Sequence, residues 1–157
     1  MADDDHLYRL GAGIMLLNRE GKVFVAARID NPQDSWQMPQ GGLDEGEEPW
    51  PGVLRELEEE TGIAPSLVEK IAEHPEVLRY ELPEEWKGRL WRGKWIGQRQ
   101  HWFLARFLGS DEDVNLATDH PEFRAWKWVE PAELPGLIVP FKRDLYRRLV
   151  EDFGRYL

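Results

Sequence analysis

The stretch Gly41–Ile63 reads GGLDEGEEPWPGVLRELEEETGI, and it carries the strongest pattern in the chain. Its second half predicts a helix over Val53–Thr61, because apolar residues recur there at helical spacing and Gly62 follows as a C-terminal glycine. Proline is tolerated in a first helical turn, whereas Gly52 weakens one. The sequence therefore leaves the start of this helix open by about one turn.

Three glutamates of the helix are predicted to share one face. Glu56, Glu59 and Glu60 have the spacing i, i+3, i+4, which brings their carboxylates together beside the apolar face of Val53 and Leu57. Like charges at this spacing repel each other, and a hard divalent cation would relieve the repulsion. Ligands that are all oxygen favour Mg²⁺ or Mn²⁺. The alternative interpretation is a solvated acidic helix face.

The residues before the helix extend the pattern. The pair Gly41-Gly42 allows a backbone carbonyl to approach closely, and Glu47 lies where it can pair with Arg55 across the junction between loop and helix. The whole segment runs Gly41, five residues, Glu47, seven residues, Arg55-Glu56-Leu57, one residue, Glu59-Glu60, one residue, Gly62-Ile63. This segment, residues 41–63, resembles the Nudix box of the Nudix hydrolases, with no mismatch at a defined position.

The resemblance implies both a fold and a reaction. Nudix hydrolases are α/β/α sandwiches with a mixed β-sheet, here with the box helix and an amphipathic C-terminal helix, and they cleave a nucleoside diphosphate linked to another group. They use water and divalent metals. By position, Glu56, Glu59 and Glu60 match the family's metal ligands, Gly41 its carbonyl ligand, and Glu47 and Arg55 its structural ion pair. Glu56 is the first candidate for orienting or deprotonating the attacking water. A non-catalytic Nudix-like binding module is the alternative, but such modules lose box glutamates that this chain retains.

Composition predicts a single domain over residues 1–157. The chain has a mass of 18.4 kDa, with 41% apolar and 32% charged residues. It has no cysteine, which excludes disulfides and zinc–thiolate sites. No stretch free of Asp, Glu, Lys and Arg is longer than Ser35–Leu43, which is too short for a membrane helix. The acidic start Met1–Asp5 is unlike a signal peptide, so a cytoplasmic location is expected, with residues 1–6 as a mobile tail.

The remaining segments predict a sheet and a second helix. Leu7–Asn18 and Val23–Ala27 flank the turn residues 18–21, which indicates a β-hairpin. Phe141, Leu145, Leu149 and Phe153 recur every four residues, which indicates an amphipathic helix. The other segments are predicted as a loop over Ile29–Gly42, an interrupted β region over Leu67–Leu82, an irregular loop over Trp86–Lys94, and strands over Gln100–Leu108 and Phe123–Val129.

A likeness to two Nudix branches covers nearly the whole chain, from Tyr8 to Phe153. The two branches are the bacterial RNA 5′-pyrophosphohydrolases and the asymmetric dinucleoside polyphosphate hydrolases of bacteria and plants. The segments that carry the likeness are residues 35–42, 78–80, 97–100, 102–103, 121–123, 126–128 and 140–143.

This likeness implies further site residues. Glu122, within Pro121-Glu122-Phe123, matches a further acidic metal ligand or base of both branches. The positions that match contacts to phosphates or to the terminal base are Arg28, Gln40, Tyr80, Val139, Phe141 and Lys142. Each has an alternative interpretation: Arg28 and Lys142 as solvated surface groups, and Tyr80 and Phe141 as core side chains.

The charge distribution bears on the substrate. The net charge of −10 disfavours nonspecific binding to nucleic acid. Trp86–Arg106, however, holds six basic residues and no acidic ones, interleaved with tryptophans, which suits contacts to a nucleic-acid strand. The function expected is removal of pyrophosphate from 5′-triphosphorylated RNA to leave 5′-monophosphate RNA, which promotes RNA decay. Hydrolysis of dinucleoside polyphosphates is the main alternative, and a housecleaning hydrolase of small nucleotides is another.

Overall fold

The structure, a computed structural model, describes residues 4–30 and 34–157. Seven strands and three helices make up the regular structure of these residues. The strands are β1 (Tyr8–Leu17), β2 (Val23–Arg28), β3 (Gln40–Gly42), β4 (Val68–Glu73), β5 (Leu78–Glu81), β6 (Gly97–Phe107) and β7 (Phe123–Val129). The helices are α1 (Pro49–Thr61), α2 (Leu134–Leu137) and α3 (Arg143–Asp152).

The strands form one mixed sheet. Its main path runs β4-β6-β1-β2-β7, while β3 pairs with β1 and β5 pairs with β6. β1 and β6 are parallel, and the other pairs are antiparallel. The predicted hairpin is confirmed, because β1 and β2 pair across the turn that begins at Asn18.

The side chains of β1 point alternately to the two faces of the sheet and contribute to a hydrophobic core on each. Ile14 and Leu16 pack in the cluster that contains Leu57 of α1, whereas Met15 packs in the cluster that contains Leu149 of α3. Successive side chains of a strand point to opposite faces, so one strand contributes to both cores. The expected α/β/α sandwich is therefore confirmed, with α1 on one face and α2 and α3 on the other.

Helix α1 begins at Pro49, about a turn before the predicted Val53. Proline at the first helical position suits its fixed φ and missing N–H group. Gly52 is required by packing: a Cβ atom there would lie 2.4 Å from Cδ2 of Leu43. The helix ends as predicted at Gly62, whose φ of 74° is left-handed and whose N–H group donates to the carbonyl of Glu58.

The segment predicted as the loop Ile29–Gly42 contains strand β3, and its residues 31–33 lie outside the described part of the chain. The approach to β3 is fixed by tertiary hydrogen bonds. The backbone N–H group of Met38 donates to Oη of Tyr146 on α3 at 2.8 Å, and that of Trp36 donates to the carbonyl of Leu137 at 2.7 Å. This irregular segment is therefore anchored to the α2–α3 side of the sandwich.

Both ends of the described chain are also structured. The predicted C-terminal helix is present as α3, preceded by a 3₁₀ turn over Pro140–Lys142. Residues 1–3 of the predicted tail lie outside the described part, while Asp5–Leu7 form a 3₁₀ turn and Asp4 pairs with Arg79. None of the helices within residues 4–30 and 34–157 has the length and apolar character needed to span a bilayer.

Candidate active site

A cleft of about 1070 Å³ opens beside strand β3 and helix α1, the helix of the Nudix box. Its volume is at the upper end of the range for small-molecule sites, roughly 300–1,000 Å³. It gathers nine of the thirteen residues predicted for the site, from segments far apart in the chain. These nine are Arg28, Gln40, Gly41, Glu56, Tyr80, Glu122, Val139, Phe141 and Lys142.

Gly41 and Glu56 meet at the floor of the cleft. A Cβ atom on Gly41 would lie 2.3 Å from the carboxyl group of Glu56, so only glycine allows this approach. Burial raises the pKa of Glu56 to about 7; Arg55 opposes that shift and Glu59 adds to it. A carboxyl group with a pKa near neutrality is suited to accept or hold a proton under physiological conditions.

Glu60 lies beneath the cleft and is 1% exposed. Neither of its carboxylate oxygens has a hydrogen-bond partner of ordinary geometry among the described residues, although the backbone of Gln40 is close enough to oppose the rise of its pKa. Burial raises its pKa well above the ordinary value, and the charges of Glu122 and Glu56 raise it further. An unpaired buried carboxylate is costly to the folded state unless a cation accompanies it.

Glu59 has different surroundings from the other two helix glutamates. Its side chain is 58% exposed and accepts hydrogen bonds from Nη1 of Arg55 at 3.1 and 3.2 Å. Arg55 also forms a bidentate pair with Glu47, at 2.7 Å from Nε and 2.8 Å from Nη2. Hydrogen bonding to Arg55 lowers the pKa of Glu47 to about 2. The predicted ion pair is thus present and ties the loop 43–48 to α1.

The acidic side of the cleft fits a hard divalent cation. Glu56 and Glu60 are electrostatically coupled to Glu122, which is 45% exposed and 3.9 Å from Arg28. Within residues 4–30 and 34–157, no three carboxylate or imidazole side chains are already gathered at ligand spacing. Mg²⁺ needs only one or two protein carboxylates, because it retains waters and binds substrate phosphates. The orphaned carboxylate of Glu60 and the all-oxygen surroundings are consistent with such an ion.

Basic and aromatic groups form the opposite side. Lys142 is buried, and its Nζ lies 4.7 Å from the centre of the Tyr80 ring. The pKa of Lys142 is lowered to about 8. Burial is the largest cause, and the positive charge of Arg28 contributes. Burial also raises the pKa of Tyr80, so its phenol is neutral. A buried ammonium that faces a cleft is well placed to receive an anionic oxygen.

Phe141 contributes both to the core and to the cleft. Its ring lies 5.9 Å from that of Tyr80 and 5.2 Å from that of Trp86, measured between centroids. It also packs on the core cluster of α3 while lining the cleft beside Val139. Phe141 can therefore be both a core side chain and a contact for the terminal base.

The cleft is also lined by residues that were not predicted as site contacts, among them Arg9 and Gln98. Gln98 belongs to a buried amide network in which Nε2 of Gln100 donates to the side chains of both Gln98 and Gln40. Arg9 had a signal in the sequence, because it is the single charged residue of β1. Trp86, Arg89 and Trp91 also line the cleft, and they belong to the stretch Trp86–Arg106 that the sequence predicted to suit contacts to a nucleic-acid strand.

Comparison with known proteins identifies the family. The model of the NUDIX domain matches residues 7–149 of this chain. A curated RNA pyrophosphohydrolase of Sphingopyxis alaskensis is 56% identical, with 98% of each chain covered. The RNA pyrophosphohydrolase of Erythrobacter litoralis is 57% identical over 96% of this chain and 93% of its own.

Solved structures share the fold at lower sequence identity. A Caenorhabditis elegans Ap4A hydrolase in a binary complex has a TM-score of 0.66 at 22% identity, with 93% of this chain and 98% of its own covered. An Escherichia coli dihydroneopterin triphosphate pyrophosphohydrolase has a TM-score of 0.69 at 18% identity, with 93% and 99% covered. With a matching domain over nearly its whole length and relatives more than half identical, this chain belongs to the Nudix hydrolases.

Proposed function

We propose that this protein is a metal-dependent RNA pyrophosphohydrolase. It removes pyrophosphate from 5′-triphosphorylated RNA and leaves a 5′-monophosphate end, which promotes RNA decay. The observation that carries this proposal is the identity of 54–57% to RNA pyrophosphohydrolases over at least 96% of the chain. The cleft supports it with an acidic floor and a basic and aromatic wall, the two environments that a nucleotide 5′-polyphosphate requires.

The acidic floor is assigned to metal and water. Glu56, Glu59, Glu60 and Glu122, with the carbonyl of Gly41, are the proposed ligands of Mg²⁺ or Mn²⁺. When bound, these ions neutralise phosphate charge and make the attacking water more acidic. Glu56 orients that water or accepts its proton, because its carboxyl group reaches the cleft beside Gly41. Glu122 is the second candidate for this role.

The opposite wall is assigned to the substrate. Arg28, Tyr80 and Lys142 position phosphate oxygens, which places the reacting bond over the acidic floor. Gln40 is held for the same purpose by its hydrogen bond from Gln100 at 2.6 Å. Phe141 with Val139 contacts the base, a contact that tolerates sequence variation at an RNA end. A cytoplasmic location is part of this proposal.

Product identification tests the proposed reaction. The purified protein is incubated with an oligonucleotide RNA carrying a 5′-triphosphate, with and without Mg²⁺ or Mn²⁺, and the products are separated by mass. The proposal expects a 5′-monophosphate RNA and released pyrophosphate or phosphate, formed only when metal is present. Full activity after exhaustive chelation, or an unchanged 5′-triphosphate in the presence of metal, would refute it.

A further inference from the structure

The loop between β5 and β6 forms a wall of the cleft that lies beyond the predicted site. Seven of its residues line the cleft: Leu82, Pro83, Glu85, Trp86, Arg89, Leu90 and Trp91. Arg9 of β1 reaches the same wall, because its guanidinium group lies 5.7 Å from the Trp91 ring. We call Arg9, Trp86, Arg89 and Trp91 the loop wall. Other basic and aromatic residues of Trp86–Arg106 turn elsewhere; Trp102, for example, is buried in the core.

Two arginines of the loop wall have no acidic partner in the described part of the chain. No carboxylate of those residues lies within 4.0 Å of the guanidinium groups of Arg9 or Arg89. Lys87, in the same loop, differs because it pairs with both Glu81 and Glu84. The two arginines therefore bring positive charge to the cleft that no ion pair neutralises within the described residues, although Glu85 of the same loop also lines the cleft and the whole protein carries −10.

The aromatic rings of the wall are held in place by neighbouring rings, with Trp86 exposed and Trp91 half-buried. Trp86 is 41% exposed, and its ring packs edge-on against Phe141. Trp91 packs edge-on against Trp95 at 6.1 Å between centroids. An exposed tryptophan beside the proposed base-binding phenylalanine extends the stacking surface outward from the metal end of the cleft.

The backbone of the loop is strained at the same place. Trp91 and Arg92 have φ angles of 51° and 58°, a left-handed conformation that side chains with a Cβ atom rarely adopt. Such a conformation persists where surrounding contacts enforce it, and it is common at binding sites. Here the contacts of Trp91 with Arg9 and Trp95 supply that support.

We infer that the loop wall binds the RNA chain downstream of its first nucleotide, with Trp86 stacking a base and Arg89 contacting a backbone phosphate. The inference rests on the proposed function, since it names where the rest of the same substrate lies. Alternating aromatic rings and unpaired cations are what a single-stranded RNA needs, because every base offers a face for stacking and every linkage offers a charge. The second nucleoside of a dinucleoside polyphosphate could stack on only one ring of the loop wall, and it has no further phosphate to pair with the arginines of that wall.

Matched substrates of different length test this inference. Initial rates are measured for a nucleoside triphosphate and for a 5′-triphosphorylated octanucleotide that begins with the same nucleotide. Trp86→Ala should raise the ratio of KM values, octanucleotide over nucleoside triphosphate, by about tenfold, since stacking on an aromatic side chain contributes that much or more. Arg89→Gln should also raise this ratio, and should lower the slope of log K against log salt for binding of a 5′-monophosphorylated octanucleotide by about 0.7.

Neighbouring residues of the same loop provide the controls. Arg92→Gln removes an exposed arginine that does not line the cleft, and it should leave the KM ratio and the salt slope as in the wild type. Trp86→Phe should restore most of the effect of Trp86→Ala. Equal losses on both substrates for Trp86→Ala and Arg89→Gln, or a salt slope that Arg89→Gln leaves unchanged, would overturn the inference. Failure of the wild type to hydrolyse the 5′-triphosphorylated octanucleotide would instead contradict the proposed function.

Discussion

At the residue scale, the chemistry of the cleft depends on how deeply the side chain of each helix glutamate is buried. The three glutamates share a helix face, but burial separates them: Glu60 is enclosed, Glu56 is partly buried at the cleft, and Glu59 is exposed beside Arg55. Spacing in the sequence predicts that their carboxylates converge, and it cannot predict this difference. The difference arises from what packs over each residue, which is a property of the folded sheet and its loops.

Replacement of Glu60 tests whether its charge serves to bind metal or to stabilise the fold. Glu60→Gln removes an unpaired buried carboxyl group while keeping its shape, so without metal the melting temperature should equal or exceed that of the wild type. Added Mg²⁺ or Mn²⁺ should raise the melting temperature of the wild type, because the ion binds only the folded state, and should raise that of Glu60→Gln much less. Thermal denaturation with and without metal measures both. Equal metal-dependent shifts in the two proteins would remove Glu60 from the ligand set.

Glu56 is the residue assigned to the attacking water. Glu56→Gln should lower kcat by at least about a hundredfold, the scale of general acid–base catalysis, with little change in melting temperature. Glu58→Gln is the matched control, since Glu58 is an exposed glutamate of the same helix that does not line the cleft. Near wild-type turnover by folded Glu56→Gln would rule out the assignment.

Gly41 tests the close approach of β3 to the box helix. The added Cβ atom of Gly41→Ala would meet the carboxyl group of Glu56, the flexible end of a side chain, so the fold should survive while Glu56 is displaced. A displacement of about 1 Å at a reacting group can lower the rate about a hundredfold. Gly136→Ala is the control, because a Cβ atom there would meet open space. Unchanged kcat in Gly41→Ala would show that the position of Glu56 is not critical.

At the scale of elements, the ion pair of Glu47 and Arg55 joins the loop 43–48 to helix α1. The pair is bidentate, and Arg55 in turn contacts Glu56 and Glu59. One arginine therefore fixes the loop that follows β3 and also faces the glutamates of the site. Loss of this pair should affect both the stability and the geometry of the acidic floor.

The pair makes a pH-dependent contribution to stability. The pKa of Glu47 falls from its ordinary 4.5 to about 2 in the folded protein, so its contribution is complete above pH 4.5 and disappears as the pH falls towards 2. Glu47→Gln should lower the free energy of unfolding at neutral pH by about 2 kcal/mol, the scale of a charged hydrogen-bonded pair. For a domain of this size, that corresponds to a fall in melting temperature of about 4–8 °C.

Acid denaturation distinguishes the loss of the Glu47–Arg55 ion pair from the loss of any one carboxylate charge. The difference in stability between wild type and Glu47→Gln should shrink between pH 4.5 and 2, because the wild type loses the interaction there. Glu48→Gln, an exposed neighbour, should follow the wild type throughout. A constant difference across this pH range would show that Glu47 contributes through packing and not through its charge.

The elements that depend on local pattern were predicted well, and those that depend on tertiary contacts were not. The hairpin of β1 and β2 and helix α3 follow from alternation and helical periodicity. Strand β3 is only three residues long and lies among prolines and glycines. It forms because β1 supplies its pairing partner and Tyr146 fixes Met38, neither of which a local pattern contains.

At the scale of the whole molecule, the sandwich brings distant segments together around the N-terminal half of β1. β3 and β6 flank β1 on opposite sides, so Arg9, Gln40 and Gln98 lie near one another although they are far apart in sequence. The box pattern predicted the acidic floor, and the wider likeness predicted most of the opposite wall. The basic and aromatic stretch Trp86–Arg106 predicted contacts to a nucleic-acid strand, but it could not predict which of its residues line the cleft. The place of Arg9 in the cleft depends on the parallel register of β1 and β6, which no local pattern contains.

Substrate preference is the measurement that tests the central claim most directly. Catalytic efficiency, kcat/KM, is determined for 5′-triphosphorylated RNA and for diadenosine tetraphosphate under identical metal, salt and pH conditions. An RNA pyrophosphohydrolase should show the higher efficiency on RNA, with 5′-monophosphate RNA as the product. An efficiency on diadenosine tetraphosphate far above that on RNA would contradict the account and identify the protein as a dinucleoside polyphosphate hydrolase.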